Sequence, residues 1–103
     1  MRAVTAMEGR WRHSFEEDHE GIRVYRPDDY DFPPSRRRGG VEFGADGTFL
    51  DWGPSTPDVN GRPGSWTVDA AMRQLELTIG DWHRVIEVVC LRADRLELRI
   101  RTP

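Results

Sequence analysis

Val41-Glu42-Phe43-Gly44-Ala45-Asp46-Gly47-Thr48-Phe49-Leu50-Asp51-Trp52 sets two aromatic and β-branched runs on either side of a Gly-Ala-Asp-Gly reversal. The pattern predicts a β-hairpin, with Gly44 and Gly47 supplying the positive φ angles of a tight return and Asp46 accepting hydrogen bonds from its own backbone. Downstream the device repeats. Residues 64–68 resume a strand with Trp66 and Val68 on one face, and residues 73–79 alternate with Leu75, Leu77 and Ile79 inward. Gly80-Asp81 is a two-residue hairpin loop. The strand after it is apolar on both faces from Val85 onward, which predicts a bulge or a covered outer face. Ala93-Asp94 then reverses the chain into residues 95–101, where Leu96, Leu98 and Ile100 alternate with charged side chains.

Upstream, residues 10–16 alternate so that Trp11, His13 and Phe15 share one face, the mark of a half-buried first strand. From Glu17 to Gly40 acids, prolines and arginines break the pattern. A structureless loop of that length is unusual in a compact domain. The expectation is therefore a brief strand over 22–25 within a lid, Glu20 to Arg38, packed down by Tyr25, Tyr30 and Phe32. Residues 53–63, rich in Pro, Gly, Ser, Asp and Asn, read as a second exposed loop. Seven strands, or eight with the brief one, imply an all-β chain. It is expected to form one domain over residues 1–103, a small antiparallel up-and-down β-barrel in which the first and last strands pair and remove the open edges.

The totals exclude more than they assign. A chain of 103 residues, 37% hydrophobic and 32% charged, suits an ordinary globule. A formal net charge of −3 gives no global field for nucleic acid or anionic lipid, and no stretch is apolar enough to span a membrane. Cys90 is the only cysteine, which excludes an internal disulfide or a thiolate cluster, and a reducing cytoplasm is the expected compartment. The N-terminal run lacks the apolar core of a signal peptide. All fifteen basic residues are arginine, so Schiff-base and phosphate-loop lysine chemistry have no amine to use. That usage fits a GC-rich bacterial genome.

Gly9-Arg10-Trp11 opening the first strand, the Phe43 to Phe49 hairpin, Gly64-Ser65-Trp66 and the closing Asp94-Arg95-Leu96-Glu97-Leu98 together resemble small bacterial lipocalin-like, calycin-type domains. The resemblance covers nearly the whole chain. It implies a barrel that binds a small molecule, with Trp11 packed across its base under Arg99 or Arg101 as a stacked cation. The chain is shorter than true lipocalins and lacks both their C-terminal helix and their middle Thr-Asp-Tyr signature.

Candidate site residues follow from parity and composition. His13 lies on the apolar face and reads as a satisfied core imidazole or, beyond that, as a hydrogen-bond contact for a ligand. Tyr25 offers a second hydrogen bond, Phe43, Phe49 and Trp66 offer walls, and Arg37 or Arg38 offers a fork for an anionic group. Arg36-Arg37-Arg38 also reads as half of an internal salt-linked lid with Asp28, Asp29 and Asp31. Two other classes stay open. An enzyme would use His13 or His83 with a carboxylate, Asp81 for His83, or a metal on His13, Glu17 and His19 with Glu16 and Asp18. An interaction module, a homodimer included, would use Trp52 or Trp82. No cofactor is implied, and the expected partner is a small molecule.

Overall fold

A computed structural model describes residues 7–35, 38–52 and 62–100. Eight strands form a closed antiparallel barrel: β1 Gly9–His13, β2 Ile22–Pro27, β3 Gly40–Phe43, β4 Thr48–Trp52, β5 Arg62–Val68, β6 Gln74–Ile79, β7 Trp82–Arg92 and β8 Arg95–Ile100. A 3-10 turn, η1, occupies Phe15–Glu17. From β3 to β8 each strand pairs with the next, as alternation and tight returns dictate. The side chains that alternate inward from these strands, with Met7, Trp11 and Tyr25, form one cluster that includes Phe43, Phe49, Trp66, Leu75, Leu77, Leu96 and Leu98.

Closure differs from the expected pairing of first with last strand. β8 pairs with β2, and β3 pairs with β1, so the first hairpin sits reversed in the ring. The chain after β2 must then reach the β3 side of β1. Its described residues, 28–35 and 38–39, lie over the outer face, where Asp28 meets the outward Arg12 and Arg38 reaches the His13 carbonyl. The expected lid is thus a strap around the barrel wall rather than a cover over its end.

The central hairpin forms with Phe43 opposite Phe49. Only Gly47 takes a positive φ, 88°. Gly44 is required for space instead: a Cβ there would stand 2.4 Å from Thr48 Oγ1 and 2.8 Å from Asp46 Oδ1. The Asp46 carboxylate accepts from the Thr48 backbone N–H at 3.1 Å and from its hydroxyl at 2.7 Å, as its place in the turn predicts. The bulge expected in β7 falls between Val88 and Cys90, and it turns Val89 outward while Val88 stays in the core.

Two local expectations are corrected. β1 ends at His13 because the chain enters η1, which leaves Phe15 45% exposed rather than facing inward. Trp11 is buried as expected, but its indole N–H donates to the Met7 carbonyl at 3.0 Å and no arginine stacks on it among the described residues. Arg99 alternates outward beside inward Leu98 and meets Glu87 at 3.4 Å, while Arg101 lies outside the described residues. Ile22 and Val24 also alternate outward yet are buried, because η1 packs on β2.

One position tests how tightly the wall is drawn. A Cβ on Gly64 would stand 2.2 Å from the backbone carbonyl oxygen of Thr78, which is fixed in the β5–β6 ladder. Gly64→Ala is expected to destabilise the barrel by about 1–3 kcal/mol through overpacking. A lowered urea midpoint at unchanged slope is the measurement, and an unchanged midpoint would refute so tight an approach.

Candidate functional site

The strands define two ends. One carries the 44–47, 69–73 and 93–94 returns, and is filled by Met7, Trp11, Trp66 and Leu75. Trp66 is fixed there by its indole N–H, which donates to the Gly44 carbonyl at 2.9 Å, and by an edge-on contact with Phe43. The other end carries η1, the Gly80-Asp81 return and the start of β3, and there the core does not fill the ring. A cavity of about 240 Å³ opens among Tyr25, Val41, Phe43, Phe49, Leu77, Ile79, Ile86 and Leu98, with Arg23, Asp51 and Trp82 at its rim.

Strand parity explains the lining. Tyr25 and Arg23 pair with Leu96 and Leu98 and share their inward side, and Asp51 follows inward Phe49 by two residues. Phe43 and Phe49 lie against one another with ring centroids 5.3 Å apart. The Tyr25 hydroxyl is deeply buried, and loss of water pushes its pKa up, only partly offset by the nearby Arg23 guanidinium. The phenol therefore stays protonated and presents both a donor and an acceptor to the cavity wall. An apolar chamber with one hydroxyl, one guanidinium and one carboxylate near its mouth is suited to holding a small molecule by shape and orienting it with a single polar end.

Of the expected contacts, Tyr25, Phe43 and Phe49 line this chamber together, whereas Trp66 belongs to the filled end. His13 lies one ring away, its imidazole 5.2 Å from the Tyr25 ring. Its Nε2 meets Asp18 Oδ2 at 2.8 Å, and Asp18 Oδ1 also accepts the Val24 backbone N–H, so the pair braces the turn that follows β1. Among the described residues the His13 imidazole otherwise lies against the rings of Phe15 and Tyr25. Asp81 and His83 stand exposed at the β6–β7 return. His19 is exposed and pairs with the Glu17 carbonyl, and no group of three His, Cys, Asp or Glu residues is placed to hold a metal among the described residues. Arg36 and Arg37 lie outside the described residues. No helix among those described is long and apolar enough to cross a membrane.

Arg38 is away from the chamber, on the strap. Its side chain is only 7% exposed, held by both oxygens of Glu16 at 2.9 and 2.7 Å and by the Pro33 and His13 carbonyls, between the rings of Phe15 and Phe32. The salt-linked strap expected from composition exists, but its carboxylate for Arg38 comes from η1 and Asp28 serves Arg12 instead. Glu17 is the second anchor. It accepts from Arg26 Nε and Nη2 at 2.8 Å each, from the Ser14 hydroxyl at 2.8 Å and from Arg95 at 3.2 Å, and so ties η1 to β2 and β8.

Comparison with protein-family models, with curated proteins and with solved structures finds no match.

The anchors give a pH dependence. Hydrogen bonding to Arg38 and to Arg26 holds the carboxyls of Glu16 and Glu17 down at about 2, below the ordinary value of 4.5. A carboxyl depressed on folding stabilises fully above its ordinary pKa, and that stabilisation is lost as pH falls through the folded value. The melting temperature is therefore expected to fall between about pH 4.5 and 2 as η1 loses its anchors. Glu17→Gln should melt lower than the parent at neutral pH and lose less on acidification. Parallel curves for the two proteins in circular-dichroism melts would rule the anchor out.

Proposed function

We propose that this chain is a lipocalin-like small-molecule-binding domain that holds a compact, partly apolar or aromatic ligand at the end of the barrel beneath the Gly80-Asp81 return. The observation that carries the reading is the unfilled chamber of about 240 Å³, walled by Phe43, Phe49, Leu77 and Leu98 and given a polar end by the Tyr25 hydroxyl with Arg23. Its size bounds the ligand. A dry cavity of roughly 150 Å³ suffices for benzene, while sites for drug-sized molecules begin near 300 Å³. A single ring or a short branched chain fits that window, and a long fatty chain does not. Closed antiparallel strands with one filled and one open end supply the rigid frame that such binding uses, and the resemblance of Gly9-Arg10-Trp11 to lipocalin-like domains points the same way.

The polar end assigns roles. The phenol of Tyr25 can donate to a carbonyl or accept from a hydroxyl, and Arg23 meets whatever oxygen lies at the mouth. Phe43 and Phe49 contribute most of the apolar area that a bound ring would cover.

The reading is tested with p-cresol and indole as probes on isotope-labelled protein. Saturable shifts of the Leu77 and Leu98 amide resonances are expected. Tyr25→Phe should weaken p-cresol about fivefold, the equivalent of one lost hydrogen bond of about 1 kcal/mol. Ile79→Trp, placed in the lining to plug the chamber, should abolish binding while the variant still melts cooperatively. Absence of any shift at Leu77 and Leu98 with both probes, or undiminished binding in a folded Ile79→Trp, would overturn it.

A further inference from the structure

Crossing the outer face of β1, the strap creates a second recess, which reaches down to Trp11 and shares no lining residue with the barrel chamber. It has a volume of about 250 Å³ and lies among Arg10, Arg12, Arg38, Asp28, Gly40 and Trp52. We infer that this groove is a binding site for a small aromatic monoanion of the aryl carboxylate class.

The argument starts from charge and reach. Arg10 and Arg12 occupy alternate positions of β1, so both forks project from the same face with a spacing of roughly 6–7 Å, the rise of two strand residues. Their circumstances differ. Arg38 is fully committed to Glu16 and two carbonyls, and Arg12 gives its Nε to Asp28 at 2.6 Å. The nearest carboxylate to Arg10 is that of Glu42 across the β1–β3 pair, at 3.9 Å, beyond hydrogen-bonding distance. One guanidinium is therefore held only by a loose ion pair, with no hydrogen bond to a carboxylate among the described residues. Half-exposed as it is, its position is still held, because the guanidinium rides over the Trp52 ring at 4.5 Å.

A fork of that kind meets a carboxylate with two parallel N–H···O bonds. Glu42 and Asp28 already offset part of the positive charge, so the recess suits a monoanion better than a dianion. A phosphate monoester, at about −1.5 to −2, would bring excess charge against Asp28, whose carboxyl is held ionised by Arg12. The remaining wall favours a flat body: Gly40 presents no side chain, and the ring of Trp52, its cross-strand neighbour, lies beside it. Pre-positioned Arg12 and Arg38 add field without having to reorganise on binding.

The test uses the full chain, isotope-labelled, titrated with sodium benzoate. Saturable shifts at the Arg12, Gly40 and Trp52 amides are expected, weakened severalfold by about 0.5 M salt. Arg10→Gln should weaken benzoate about tenfold or more at an unchanged melting temperature, as loss of a charge-assisted pair predicts. Benzyl alcohol, the neutral analogue, and inorganic phosphate should bind the groove at least about tenfold more weakly. The plugged Ile79→Trp variant separates the two sites: groove shifts that persist in it support this site whether or not the chamber binds anything. No saturable shift at Arg12, Gly40 and Trp52, equal affinity of parent and Arg10→Gln, or equal affinity for benzyl alcohol would each overturn the assignment.

Discussion

A β-sheet can hide its edges only by pairing every strand on both sides, and a ring of strands is the complete solution. Here that requirement is met with the first hairpin turned round. β2 gives its outer edge to β8, and β1 gives its edge to β3. Everything unusual about the molecule follows from this exchange. The chain leaving β2 has to pass over β1 before it can begin β3, and so a strap is obligatory. A strap over a wall that projects Arg10 and Arg12 must answer those charges, and Asp28 does so for Arg12. The turn between β1 and β2 must in turn hold the strap's far end, which Glu16 does through Arg38.

Periodicity of two carried most of the architecture. Leu75, Leu77, Leu96 and Leu98 face the core as their alternation requires, the tight returns fall at their Gly and Asp signals, and the doubly apolar β7 relieves itself with a bulge. Strand order was not legible, because alternation says which face a residue takes and nothing about which distant strand lies beside it. Short-range competition explains the local misses. The alternation of Trp11, His13 and Phe15 gives no hint that the chain abandons strand geometry after His13. Gly44 is glycine for lack of room, a condition set by Thr48 and Asp46 across the turn rather than by its own φ.

The same division governs the candidate chamber. Parity identified Tyr25, Phe43 and Phe49, and it identified Trp66 equally well. What parity does not encode is height along the barrel axis, and Trp66 sits at the filled end. Arg23 and Asp51 were missed although a signal was present: each lies two residues from an inward aromatic, and a charge on the inward side of a strand end marks a mouth. The forks of Arg10 and Arg12 were visible as the polar face of β1, but the meeting of Arg10 with Trp52 depends on a strand that alternation does not place beside it.

The reversed hairpin also bears on how the chain matures. Tyr25 and Leu96 are neighbours in the sheet, yet roughly seventy residues separate them. During synthesis β2 emerges well before β8 and waits with one edge bare until that strand leaves the ribosome. Pairings between such distant segments form slowly, since the loop they close is long. Until β8 is made, then, the nascent chain presents a sticky ribbon that only that strand can seal.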